Sequence, residues 1–191
     1  MERCRLIATD LACRRGDRLL FRGLSLALEA GQALQISGPN GLGKSSLIRV
    51  LAGLLPPYAG TVDRVGGIGL LDEKPALDEH LPLGQALNFW RGVDGGGAIP
   101  VELALDPLLP VPVRFLSTGQ RKRAALARLT GQQVPIWLLD EPLNGLDRDA
   151  VAMCEALVTT HCANGGIAVV ASHQPFTLPG MAVLTLADYA A

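Results

Sequence analysis

ALQISGPNGLGKSSLIRVLAGLL, residues 33 to 55, is the stretch on which the fold turns. It begins as an apolar strand, ALQIS, and ends as SLIRVLAGLL, whose apolar residues recur at helical spacing. Between them GPNGLGKS, residues 38 to 45, matches the phosphate-binding pattern GxxxxGK followed by Ser or Thr. Glycines let the backbone curl around a phosphate, so the N–H groups from about Gly41 to Ser45 point inward at the positive end of the following helix. Lys44 then reaches the β- and γ-phosphates of a nucleotide, and the Ser45 hydroxyl meets Mg²⁺. Gly38, Pro39, Asn40, Leu42, Gly43 and Ser46 complete the stretch assigned to nucleotide binding. A plain glycine turn with a solvated lysine is the competing reading, and the strand before and helix after weigh against it.

Downstream, WLLDEP (137 to 142) is an apolar strand that ends in two carboxylates. Asp140 is placed to hold Mg²⁺ and Glu141, one residue on, to polarise an attacking water as general base. The alternative is that the pair merely ends a strand and caps the next segment. Around these two motifs strands and helices alternate. STGQRKRAALARLTGQ (117 to 132) reads as a helix starting near Ser117, with Ala124, Ala125, Leu126 and Leu129 on one side and its Arg and Lys residues on the other. DRDAVAMCEALVTTHC is a second helix, stopped by Asn164-Gly165-Gly166, and IAVVAS and MAVLTL are further strands. Such alternation predicts right-handed crossovers and a mostly parallel sheet, an α/β fold; with the phosphate loop it resembles a RecA-like P-loop NTPase core. RLIATDL and LLFRGLSLAL add an antiparallel β region at the N-terminus, and TVDRVGGIGLL (61 to 71) reads as two short strands around Gly66-Gly67. From about 72 to 116 the prolines at 75, 82, 100, 107, 110 and 112 and the loop Gly95-Gly96-Gly97 separate short helical pieces. We expect one domain over 1–191, with a core of about 1–71 and 117–191 and a small helical subdomain at about 72–116.

Composition supports a folded chain: 191 residues, 49% hydrophobic and 18% charged, are too apolar and too weakly charged for disorder. Residues 156 to 187 carry no Asp, Glu, Lys or Arg, yet His161, Asn164-Gly165-Gly166, His173-Gln174-Pro175 and Pro179-Gly180 interrupt the run, which excludes a membrane helix and predicts buried parallel strands. A net charge of −1, with no basic run longer than Arg121-Lys122-Arg123, excludes an ordinary nucleic-acid binder. No apolar segment of signal-peptide length opens the chain, so a cytosolic protein with reduced cysteines is expected. Cys4, Cys13, Cys154 and Cys162 show no CxxC pairing and read as small buried hydrophobes, in preference to a metal site with His161.

LSTGQ, residues 116 to 120, is by itself a helix N-terminus that exposes a serine and a glycine. In order with GPNGLGKS before it, WLLDEP and LNGLD (143 to 147) after it, and His173 at the end of IAVVAS, it makes the chain resemble the ATP-binding-cassette ATPases over essentially its whole length. The resemblance implies ATP and Mg²⁺ as cofactors. It also implies a homodimer in which two cassettes face head to tail, each ATP lying between the phosphate loop of one and the signature of the other. Ser117 and Gly119, with Gln120 in the same signature, would bind nucleotide across that dimer and Asp147 would line its interface. His173 would contact the γ-phosphate as a switch, joining Lys44 and Glu141 in catalysis. Two positions depart from the family pattern. Arg15 stands where most members stack an aromatic ring on adenine; it either stacks by its guanidinium plane or contributes nothing. Lys74 stands where most carry a glutamine that bridges Mg²⁺ and the coupling helices; its ammonium does not ligate Mg²⁺, though it can meet a phosphate directly. Asp72 and Glu73 beside it read as a solvated turn.

Within the family, LSTGQRKRAALARL, LLDEPLNGLD and ASHQPF resemble the ATP-binding subunits of bacterial haem export and cytochrome c maturation systems. That likeness implies ATP hydrolysis on the cytoplasmic face of the inner membrane, docked to integral membrane subunits without inserting into lipid. Two other readings stand beside it. One is a cassette ATPase serving another cargo. The other is a regulatory module that dimerises on ATP but barely hydrolyses it, motivated by Lys74 and Arg15.

Overall fold

Two apolar strands, β6 (Ile136–Asp140) and β7 (Ile167–Ala171), are buried at every residue and form the middle of the molecule. In the computed structural model, which describes residues 4–72, 74–96 and 100–191, they belong to a five-stranded sheet of order β5-β6-β7-β3-β8. Its other members are β3 (Ala33–Ser37), β5 (Ile68–Leu71) and β8 (Ala182–Thr185), and all neighbours run parallel. Successive side chains of a strand point to opposite faces, so each central strand serves two cores. Trp137, Leu139, Ala168 and Val170 join the core formed with helices α2 (Leu83–Asp94), α3 (Thr118–Gly131) and α4 (Arg148–Ala163). Ile136, Leu138, Ile167 and Val169 join the core beneath helix α1 (Lys44–Leu51) and the antiparallel sheet. With both faces covered, these strands read as continuous apolar runs without alternation.

The antiparallel sheet has the order β2-β1-β4, from β1 (Arg5–Arg15), β2 (Arg18–Glu29) and β4 (Ala59–Val65). Gly66-Gly67 indeed separates two strands, but they part company: β4 pairs with β1 and β5 with β6. Among the described residues between β5 and α3 lie α2 and three single 3₁₀ turns, at Val101–Leu103, Asp106–Leu108 and Val113–Phe115. Backbone bonds from Leu83 N–H to Val111 O (2.9 Å) and Gly84 N–H to Leu109 O (2.9 Å) close this insertion on itself. Gly97 of the expected glycine loop lies outside the described residues.

Two expectations need correction. The charge-free run from 156 to 187 is not a pair of buried strands. It comprises the second half of α4, the buried β7 and then β8, where Val183 is 62% exposed. β8 is an edge strand of the sheet and, among the described residues, pairs with β3 alone. Nor do all the basic residues of α3 face solvent: Lys122 is buried, at 8% exposure. The cysteines behave as hydrophobes. All four are buried, and burial pushes the Cys154 thiol up to about 12 and Cys162 to about 11, which leaves both protonated and inert. His161 stacks on Trp137 (centroids 3.9 Å apart), with Nε2 3.2 Å from the carbonyl oxygens of both Pro135 and Ile167. That makes it a packing residue of the α4–β7 junction.

Candidate functional site

The glycine-rich loop leaves the carboxyl end of β3 and turns into α1 at Gly43, which sits in left-handed backbone (φ 111°). A side chain there would be strained, and its Cβ would lie 3.2 Å from Leu20. Gly43 offers α1 no side-chain cap, so the first-turn N–H groups stay available to an anion. The Lys44 ammonium is turned back into this loop. It donates to Gly38 O (2.8 Å), Pro39 O (3.4 Å) and Asn40 Oδ1 (3.3 Å), and lies 3.3 Å from Glu141 Oε1. These oxygens hold a buried cation where phosphate oxygens would otherwise serve.

The end of β6 supplies the carboxylates. Asp140 is buried, accepts a hydrogen bond from the Ser45 hydroxyl, and among the described residues has no partner at Oδ1. Burial raises its pKa above the ordinary aspartate value; the charges of Asp72 and Glu141 add to the rise, and the Ser45 bond and Arg49 oppose it. An orphaned carboxylate oxygen beside a serine hydroxyl is a pair of hard oxygen donors, which fits Mg²⁺. Among the described residues no cluster of three or more His, Cys, Asp or Glu is placed to hold a metal. A carboxylate and a hydroxyl suit a cation that takes its other ligands from phosphate and water. Glu141 follows in left-handed backbone, φ 46°, with its N–H bonded to Ala171 O at 2.8 Å. Its carboxylate bridges two expected partners, Lys44 at Oε1 and His173 Nδ1 at Oε2 (2.9 Å). Gln35 of β3 is also buried. Its Nε2 donates to Gln174 O (2.7 Å) and its Oε1 accepts from Phe176 N–H (3.4 Å), which secures the loop that carries His173.

Lys44, Ser45, Asp140 and Glu141 line a cavity of about 780 Å³. That is the size of a small-molecule site. Lys74 stands on its wall as well. Asp72 does not lie in a merely solvated turn: it pairs with Arg49 at 3.1 Å. Glu73 lies outside the described residues.

Of the signature, Thr118 lines this cavity, whereas Ser117, Gly119 and Gln120 do not. Ser117 is exposed and caps α3: its Oγ accepts from Gln120 N–H (3.2 Å) while Gln120 Oε1 accepts from Ser117 N–H (2.8 Å). Gly119 packs on the LNGLD loop so closely that a Cβ would fall 2.8 Å from Gly145 O. Asp147 caps α4, accepting from Ala150 N–H at 2.9 Å. Arg15 is exposed at the β1–β2 hairpin, paired across the turn with Arg18, and is not part of the cavity wall. Leu20 is the residue of that hairpin that lines the cavity.

Among the cavity residues that the sequence left unrecognised are Arg121 and Lys122. Arg121 carried no local signal that set it apart. Lys122 did carry one, because it lies four residues before Leu126 and seven before Leu129, on the same face of α3.

Comparison with known proteins accords with this geometry. A family model described as ABC transporter matches residues 21–144. The chain is 57% identical over 189 residues to the cytochrome c biogenesis ATP-binding export protein CcmA of Novosphingobium aromaticivorans, covering 99% of each chain. It is 52% identical over 187 residues to the protein of the same name from Sphingopyxis alaskensis, covering 95% of this chain and 96% of the other. Among solved structures, a putative ABC transporter ATP-binding protein from Pyrococcus furiosus shares the fold, with a TM-score of 0.82 at 21% identity over 98% of this chain and 100% of that one. On this family match and this identity over nearly its whole length, the chain belongs to the ATP-binding proteins of the ABC transporter family.

Proposed function

We propose that this chain is the ATP-hydrolysing subunit of an ABC complex of haem export and cytochrome c maturation, working as a homodimer on separate integral membrane subunits. The carrying observation is that Lys44, Glu141 and the unsatisfied Asp140 carboxylate line one cavity, with His173 bonded to Glu141. Lys44 exchanges its loop carbonyls for the β- and γ-phosphates of ATP, while the loop N–H groups orient them. Asp140 and Ser45 would hold Mg²⁺, which would supply charge neutralisation on the phosphates. Freed from Lys44, the Glu141 carboxylate takes the proton of the attacking water, a role typically worth about 10²–10⁴-fold in rate. His173 contacts the γ-phosphate and keeps the Glu141 carboxylate turned toward the water.

Ser117 and Gly119 act on the ATP of the opposing subunit. Their position away from their own cavity supports that reading, as does the exposure of Ser117. The whole chain acts as one cassette, with about 72–116 as its helical subdomain. Among the described residues no helix is long and apolar enough to cross a membrane. Peripheral attachment at the cytoplasmic face of the inner membrane, through partner subunits, accords with that. The pathway comes from the relatives, whose names specify cytochrome c biogenesis and export.

Glu141→Gln tests the enzyme reading: ATP turnover falls about 100-fold or more while ATP binding persists, and unchanged turnover rules Glu141 out as base. Affinity capture from membranes with ATP bound identifies the partner subunits; capture of an unrelated permease would assign another cargo. Lys74 on the cavity wall favours one second reading, a cassette that dimerises on ATP and turns over slowly. Steady-state turnover of the unaltered protein separates the two.

A further inference from the structure

Lys122 lies one turn into α3 and is buried, at 8% exposure. A buried ammonium is costly unless it is strongly held. Its Nζ donates to the main-chain carbonyl of Glu141 at 3.1 Å, nineteen positions along the chain. That carbonyl belongs to a residue in left-handed backbone, φ 46°, a conformation that a non-glycine residue adopts only when its surroundings impose it. The Glu141 N–H is anchored as well, to Ala171 O at 2.8 Å. The peptide groups on both sides of Glu141 are therefore clamped, one by β7 and the other by α3. Between them the carboxylate is delivered to Lys44 and His173, at 3.3 Å and 2.9 Å.

We propose that Lys122 is a positioning residue for Glu141: its charge-assisted hydrogen bond to the Glu141 carbonyl holds the left-handed turn that aims the carboxylate into the cavity. The inference rests on the reading of Glu141 as base. It also gives the signature a route to chemistry within its own subunit. Ser117 and Gln120 cap the turn of α3 from which Lys122 reaches Glu141, so a shift of that helix end moves the carbonyl that orients the carboxylate.

The test uses the full-length protein with ATP and Mg²⁺. Lys122→Met, which keeps the chain length and removes the donor, lowers kcat by about 10- to 100-fold with KM for ATP within about twofold, the signature of a misplaced catalytic group. Lys122→Arg, which keeps a charged donor, recovers much of that loss. In a Glu141→Gln background, Lys122→Met produces no further fall in the residual turnover, because no carboxylate remains to be aimed. A loss that is additive in that background, or a raised KM with kcat intact, overturns the proposal in favour of a packing role. Where Lys122→Met does not fold, Lys122→Arg decides: kcat reduced as far as in Glu141→Gln, at unchanged melting temperature, also overturns it. Glu141→Gln with normal turnover refutes the prior reading of the base, a result distinguishable from either of these.

Discussion

Asp140 and Glu141 are adjacent carboxylates with different surroundings. Asp140 points into the protein, where burial raises its pKa and leaves Oδ1 without a partner, whereas Glu141 is turned by its left-handed backbone toward two basic groups. The Asp140 proton is held more tightly folded than unfolded. Stability without Mg²⁺ therefore falls as pH rises from the ordinary aspartate value of about 3.9 through the raised folded value, above which the loss is complete. Asp140→Asn removes this penalty. The metal-free variant should melt about 2–4 °C higher at neutral pH, the shift that about 1 kcal/mol makes in a chain of this size, and should lose Mg²⁺-dependent turnover. Calorimetry across pH with chelator checks the first expectation; a variant that melts lower would mean that the Asp140–Ser45 bond outweighs the burial.

Elements act here through their ends. Strand β3 delivers the phosphate loop, and through Gln35 it also holds the segment that follows β7. Gln35→Leu removes both hydrogen bonds while keeping bulk, so its effect on stability stays near 1 kcal/mol. The His173 loop is then free to move. Turnover is expected to fall about tenfold with nucleotide affinity retained, and hydrogen exchange at 173–177 to quicken. Unchanged exchange would remove β3 from any part in positioning His173. Helix α3 works likewise: its capped N-terminus carries the signature, and its first turn reaches Glu141 through Lys122.

For the whole molecule, the separation of Ser117 from the cavity is the feature with most consequence. A second copy turned head to tail would bring its own Ser117 and Gly119 over the ATP. Ser117→Arg places a bulky cation there, and also removes a helix cap whose loss costs about 1 kcal/mol. It should abolish ATP-driven dimerisation, measured by light scattering in a Glu141→Gln background, while ATP binding to the monomer stays within about threefold. Loss of monomer binding instead would place the signature in its own subunit's site.

GPNGLGKS, WLLDEP and LSTGQ were legible because each is a local device: a few adjacent residues bend the backbone, end a strand or cap a helix, and neighbouring sequence suffices to do it. The buried strands β6 and β7 were legible for a related reason, since strands covered on both faces must be apolar throughout. Chain order alone left other properties open. That β8 is an exposed edge follows from strand order in a sheet assembled across the whole chain. That Leu20 rather than Arg15 lines the cavity follows from how the β1–β2 hairpin lies over the loop. That Lys122 grips the Glu141 carbonyl, and that Glu141 sits between Lys44 and His173, requires α3, the loop and the carboxyl ends of β6 and β7 to meet. Sequence by itself determined which chemistry the chain carries, because motifs act over a few bonds; only the tertiary structure decided which groups touch, because packing joins residues that are more than a hundred positions apart.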